Sequence, residues 1–216
     1  MIKALLFDLD GVLVDAMDLH EEAFLSALRA YGGAVLSTQE HRERYAGLPT
    51  KKKLEALVHV GLLDPRHVEA VAQAKQRLTF EYMAQRLRQD PGRINLLRHF
   101  MPQYLLGCVT NCIKRTSAEM LQRAGLFTML QCVITNEDVK EPKPSKEPYQ
   151  KACQVLGIQP EEALVFEDHD IGMTSAFNAG CNARQIRVFR ELTVEIVWDA
   201  IREADLALKA QTEPGE

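Results

Sequence analysis

No apolar run in this chain approaches the roughly 18 residues that a membrane-spanning helix needs, so no membrane partner is expected. Basic residues are not in excess either: 26 Lys and Arg stand against 30 Asp and Glu over 216 residues, a net charge of −4. That balance creates no bulk positive field to draw the chain to nucleic acid or anionic lipid. The five cysteines, Cys108, Cys112, Cys132, Cys153 and Cys181, form an odd set without CxxC or zinc-ligand spacing, as in a reduced protein. Asp8 interrupts the first apolar run too early for a signal peptide, and the expected compartment is the cytoplasm. Apolar residues at 46% and charged residues at 26% exclude collagen-like, disordered and disulfide-scaffold classes. What remains is a globular chain of one large domain, or one domain carrying an insertion.

Several short apolar runs stop abruptly at polar residues. Ala4–Phe7 ends at Asp8, Leu105–Val109 at Thr110-Asn111, Cys132–Ile134 at Thr135-Asn136, and Ala163–Phe166 at Glu167-Asp168. Such runs read as strands buried on both faces, as in parallel sheets, and Ala183–Val188 reads as a further one. Between them lie the helix-length amphipathic stretches Lys114–Ala124, Glu147–Leu156 and Gly172–Ala179. Strands alternating with helices predict an α/β fold, a Rossmann-like doubly wound parallel sheet.

The interval from Asp15 to Asp90 breaks that rhythm. Leu19–Tyr31, Gln39–Tyr45, Lys51–Val60 and Pro65–Arg88 have helical periodicity and no convincing strand. Gly32-Gly33, Gly47-Leu48-Pro49 and Asp90-Pro91-Gly92 punctuate the segment. About 75 helical residues are too many for an ordinary crossover. The expected organisation is a catalytic core from residues 1–14 and 91–216, with an inserted all-helical domain at 15–90. The tail Gln211–Glu216 reads as frayed.

In open parallel sheets, ligands bind outside the carboxyl ends of the strands. Asp8 and Asp10, Thr110-Asn111, Lys143, and Glu167-Asp168 all fall there or just beyond. Four carboxylates at one rim repel unless a cation sits among them, and an all-oxygen set suits Mg²⁺. Lys143 adds a positive charge, Thr110 a hydroxyl, and the amides that open the helix after Thr110 can receive an anion. Together these groups describe a phosphoryl site. In such a site one carboxylate can attack phosphorus and another can serve as acid and then base.

Phe7-Asp8-Leu9-Asp10-Gly11-Val12-Leu13-Val14-Asp15 resembles the first motif of the haloacid dehalogenase-like hydrolases. Thr110-Asn111 is similar to their second, and Lys143-Pro144-Ser145-Lys146-Glu147-Pro148-Tyr149 to their third, with Lys146 in place of a proline. Phe166-Glu167-Asp168-His169-Asp170-Ile171-Gly172 resembles the fourth, with His169 in place of a serine. The overall pattern is that of the phosphoglycolate phosphatase and β-phosphoglucomutase-like members, whose helical cap follows the first motif. The resemblance implies that Asp8 is the nucleophile and Asp10 the general acid/base. Thr110 and Asn111 would hold the phosphoryl oxygens, and Lys143 would neutralise the aspartate–phosphate pair. Mg²⁺ would be held by Asp8, the Asp10 main-chain carbonyl, Asp168 and Glu167, the last directly or through water. Retention of Asp10 separates phosphatases and phosphomutases, whose leaving alkoxide needs a proton, from dehalogenases.

The resemblance also implies that the cap supplies specificity. His20 matches a histidine at the start of related caps. Lys75 lies within the stripe Val68, Val71, Leu78 and Tyr82, where an ammonium either snorkels to water or faces an anion. Most of the lysines in Lys51-Lys52-Lys53 read as solvated. Cys112 reads as a packed thiol beside the site, and Trp198 as a packing residue. The expected activity is that of a monomeric, Mg²⁺-dependent phosphatase on a small sugar or polyol phosphate. One alternative is a sugar phosphomutase, against which Ala16 replaces the small hydroxyl residue common there. The other is a phospho-aspartate switch or binding module, against which the motif order and the long insertion argue.

Overall fold

In the computed structural model, which describes residues 1–31 and 35–212, the run Ala4–Phe7 forms strand β1, buried along its whole length. The Gly32-Gly33 break read from the sequence and the last four residues of the tail lie outside the described residues. The chain separates into two compact units, one of Met1–Asp15 with Gln89–Glu216 and one of Ala16–Arg88.

The first unit is built on β1, β2 (Leu105–Val109), β3 (Cys132–Ile134), β4 (Ala163–Glu167) and β5 (Asn182–Gln185). All pair in parallel, in the order β3-β2-β1-β4-β5. The expected Rossmann-like α/β class is therefore correct. Burial on both faces explains why the central strands read as unbroken apolar runs. Leu5, Leu6, Phe7, Val165 and Phe166 are fully enclosed, and the rings of Phe7 and Phe166 stack at 5.3 Å. The chain leaves β1 toward β2 on one side and β4 toward β5 on the other. The gap beyond the carboxyl ends of β1 and β4 is thus the topological switch point, where open α/β sheets bind ligands.

The last strand is shorter than its apolar pattern suggested, ending at Gln185 rather than Val188. Its partner β4 runs out at Glu167, which pairs with Gln185. The Ile186 amide closes the ladder on the Glu167 carbonyl at 2.7 Å, and Phe189–Glu191 turns away as a 3-10 helix.

The insertion forms the second unit from α1 (Met17–Ala30), α2 (Thr38–Arg44), α3 (Thr50–His59) and α4 (Val68–Arg86). Ser37 and Glu40 close a reciprocal capping box on α2. Phe24, Leu28, Leu54, Leu57, Val71 and Ala74 form its core. The stretch from Pro65 is not one helix: Pro65–His67 makes a 3-10 turn, capped by Asp64, before α4 begins.

Back in the first unit, Asp90-Pro91-Gly92 opens a helix instead of a plain turn. The Asp90 carboxylate accepts the amides of Gly92 and Arg93 at 2.8 and 3.1 Å, with Pro91 in the first turn of α5 (Pro91–Phe100). The helices α6 (Lys114–Ala124), α7 (Glu147–Leu156) and α8 (Asp170–Ala179) follow. The last described helix is α9 (Val194–Thr212). It buries Val197, Ala200, Ile201 and Ala204 at three- and four-residue spacing. Trp198 packs there against His99 and Phe100 of α5, with its indole N–H on His99 Nε2 at 3.1 Å. No helix among the described residues is long and apolar enough to cross a membrane.

Candidate active site

Parallel register brings the site together. Phe7 pairs with Cys108 on one side and Phe166 on the other, so Asp8, Val109 and Glu167 emerge at one level. Beyond Asp8 the chain turns at once: the Gly11 amide bonds the Val14 carbonyl at 2.8 Å, and the Val14 amide returns to Leu9 at 2.8 Å. Gly11 makes that turn with φ at +84°, a left-handed conformation that favours glycine.

Lys143 is the centre of the polar network. Lys143 is only 4% exposed, and its ammonium donates to Asp8 Oδ1 at 2.6 Å, to the Val109 carbonyl at 2.7 Å and to Glu167 Oε1. Burial opposes its charge, but Asp8 and Glu167 outweigh burial and hold it above the ordinary lysine range. Burial and the Glu167 charge push Asp8 well up, with Lys143 opposing. Asp168 is pushed up to about 7 by burial, then by Glu167 and Asp10. Asp8, Glu167 and Asp168 each offer an oxygen, and these oxygens lie within 4.8 Å of one another. That all-oxygen, acid-rich set fits a hard divalent cation such as Mg²⁺.

Asn111 clasps the main chain of Lys143: its Oδ1 accepts the Lys143 amide at 3.1 Å, and its Nδ2 donates to the Lys143 carbonyl at 3.2 Å. Thr110, buried at the end of β2, accepts the Cys112 amide on Oγ1 at 3.0 Å. The Lys114 amide is taken by Glu137 at 2.6 Å. Two of the amides expected to receive an anion at the start of α6 are therefore already engaged. His169 caps α8 by accepting the Ile171 amide on Nδ1 at 3.2 Å, a role serine also fills.

Tyr149 and Gly172 contribute without standing out in the sequence, and Cys112 does more than pack. Tyr149 donates its hydroxyl to Glu167 Oε1 at 2.6 Å. The Cys112 thiol donates to Asp10 Oδ2 at 3.2 Å. At Gly172 a Cβ would fall 1.9–2.1 Å from the Glu167 carboxylate, so the glycine makes room for that side chain. Tyr149 and Gly172 lie inside recognisable motifs, but nothing local tells that both serve Glu167.

In the helical unit, Lys75 Nζ donates to His20 Nδ1 at 3.2 Å, and Thr79 bonds the Lys75 carbonyl at 2.8 Å. Lys75 is half-buried beside the enclosed Val71, Ala74 and Thr79. Lys51 and Lys52 are exposed. Lys53 turns inward, donating to His41 Nε2 at 3.1 Å and lying 5.3 Å from the centre of the Phe24 ring.

The profile of the haloacid dehalogenase-like hydrolases matches residues 5–186. A phosphoglycolate phosphatase of Chromobacterium violaceum is 32% identical over 194 residues, 84% of this chain and 83% of the relative. A phosphorylated carbohydrates phosphatase of Thermotoga maritima is 29% identical over 184 residues, 83% of this chain and 82% of the relative. Among solved structures, CbbY from Rhodobacter sphaeroides in complex with phosphate matches with a TM-score of 0.74 at 25% identity, covering 85% of each chain. The β-phosphoglucomutase of Clostridium difficile shares the fold with a TM-score of 0.81 at 18% identity, over 95% of this chain and all (100%) of that one.

Proposed function

The chain belongs to the haloacid dehalogenase-like hydrolases, and on that premise we propose that it hydrolyses a small sugar or polyol phosphate through an aspartyl phosphate on Asp8. Phosphatase activity on phosphorylated small molecules is the common theme of its relatives. The observation that carries the reading is the Asp8 carboxylate at the switch point, bonded to Lys143 at 2.6 Å beside the oxygens of Glu167 and Asp168.

In this mechanism the Asp8 carboxylate attacks phosphorus, forming an acyl phosphate as the ester P–O bond breaks. Asp10 gives its proton to the leaving alkoxide. Water then attacks the same phosphorus, its proton passes to Asp10, and the acyl phosphate bond breaks to regenerate Asp8 and release inorganic phosphate. Lys143 keeps the nucleophile and the phosphoryl oxygens from repelling each other. Thr110 and Asn111 hold those oxygens, Asn111 while it fixes the Lys143 main chain. Mg²⁺ would be held by Asp8, Asp168, the Asp10 carbonyl and, directly or through water, Glu167, and would supply further charge neutralisation at the phosphoryl group. The His20–Lys75 pair takes the role of recognising the rest of the substrate.

The test is release of inorganic phosphate from a panel of sugar, polyol and small-acid phosphates, with Mg²⁺ and with no sugar bisphosphate added. Turnover that stops in excess chelator and returns with Mg²⁺ supports the reading. Full activity in chelator contradicts the metal assignment. Isomerised sugar phosphate without phosphate release contradicts hydrolysis.

A further inference from the structure

Tyr149 is a fully buried phenol whose hydroxyl meets a charged group of the phosphoryl site. It donates to Glu167 Oε1 at 2.6 Å, the same oxygen that accepts the Lys143 ammonium. The ammonium also stands 5.1 Å from the centre of the Tyr149 ring. Burial and the Glu167 charge hold the phenol well above its ordinary range, so it remains a neutral donor. Glu167 is 1% exposed, and its carboxylate lies directly over Gly172.

Glu167 and Asp8 therefore compete for one ammonium. A carboxylate oxygen that already accepts a phenolic hydrogen bond pulls less strongly on a neighbouring cation. We propose that Tyr149 is a positioning residue of the phosphoryl site: by partly satisfying Glu167 Oε1, its hydroxyl weakens that oxygen's hold on the Lys143 ammonium, which stays shared with Asp8 Oδ1, where transferring phosphoryl oxygens need it. This rests on the phosphatase reading. Without the hydroxyl, Glu167 draws the ammonium back, and the loss falls on the transition state more than on bound phosphate, because negative charge approaches Asp8 most closely during transfer.

The experiment is calorimetric binding of orthovanadate, which adopts the five-coordinate geometry of transfer, and of inorganic phosphate, both with Mg²⁺, to wild type and Tyr149→Phe. The expected result is vanadate binding weaker by about tenfold, the size set by losing a hydrogen bond to a charged group, with phosphate binding changed less than twofold. On a substrate, kcat falls by a similar factor while KM holds. In a Glu167→Gln background, which removes the competing charge, the Tyr149→Phe effect on vanadate shrinks below twofold. A lower Tm with unchanged vanadate affinity overturns the proposal and leaves Tyr149 a packing residue. Should Tyr149→Phe not fold, difluorotyrosine at position 149 fills the same space with a stronger donor. Vanadate affinity at or above wild type then supports the proposal, and weaker binding overturns it. Wild type that releases no phosphate from any ester and binds neither anion overturns the phosphatase reading, and this proposal with it. Wild type that binds vanadate no better than the folded Tyr149→Phe variant overturns the Tyr149 role alone.

Discussion

Lys143 and Asp8, 135 positions apart in the chain, meet at 2.6 Å with 4% and 8% of their surfaces exposed. Buried ion pairs contribute little net stability, because desolvation offsets much of their attraction. A lysine enclosed between two carboxylates at a sheet's switch point is better explained by what it does to an incoming anion.

Gly172→Ala tests whether the space above α8 belongs to Glu167. At an open helical position alanine would stabilise by about 1 kcal/mol. Here its Cβ would lie 1.9–2.1 Å from the Glu167 carboxylate, so we expect a destabilisation of about 1–3 kcal/mol from overpacking and loss of most phosphate release. Thermal melts and steady-state turnover read both effects. A stabilised, fully active Gly172→Ala protein would contradict the placement of Glu167.

Asp168 gives the pH dependence. Its carboxyl is pushed up to about 7, chiefly by burial and then by Glu167 and Asp10, whereas the unfolded chain titrates near the ordinary value of about 3.9. The folded state therefore binds the proton more tightly. The corresponding stability is full below the unfolded value and is lost as pH rises through about 7. In chelator, raising the pH from about 5.5 to about 8.5 should lower the Tm of wild type more than that of Asp168→Asn. Mg²⁺ should shrink the difference. Parallel melting curves for the two proteins across that range would contradict the assignment.

Much of this architecture is legible in the sequence because buried parallel strands announce themselves as apolar runs, each stopped by the polar residue that becomes functional. Asp8, Thr110 and Glu167 stand out for that reason. Two helices escape notice for different reasons. Asp90-Pro91-Gly92 serves equally as a turn and as a helix start, and α9 carries its buried residues among many exposed charges. The partnerships within the site are less legible still. That Asn111 grips the Lys143 backbone, that Tyr149 shares Glu167 with Lys143, or that Cys112 reaches Asp10 depends on contacts between distant segments. Their side chains look ordinary in a linear reading. His169 illustrates the converse: it departs from the family's serine, yet its Nδ1 accepts the Ile171 amide at 3.2 Å.

Lys75→Met tests the helical unit. Methionine keeps the length and apolar stem of lysine and removes the charge that meets His20 at 3.2 Å. If the pair recognises substrate, kcat/KM falls for the physiological ester more than for a small aryl phosphate, and the fold persists. Equal kcat/KM to wild type on both substrates would return Lys75 to a purely structural position.

The aspartyl phosphate on Asp8 can be trapped during turnover. The most direct measurement is an acid quench of the enzyme turning over its best phosphate ester, followed by peptide mapping by mass spectrometry. We expect one phosphoryl group, carried on the peptide that contains Asp8 and localised to that residue, and no label in Asp8→Asn. Full turnover by Asp8→Asn, or a phosphoryl group on any other residue, would contradict it.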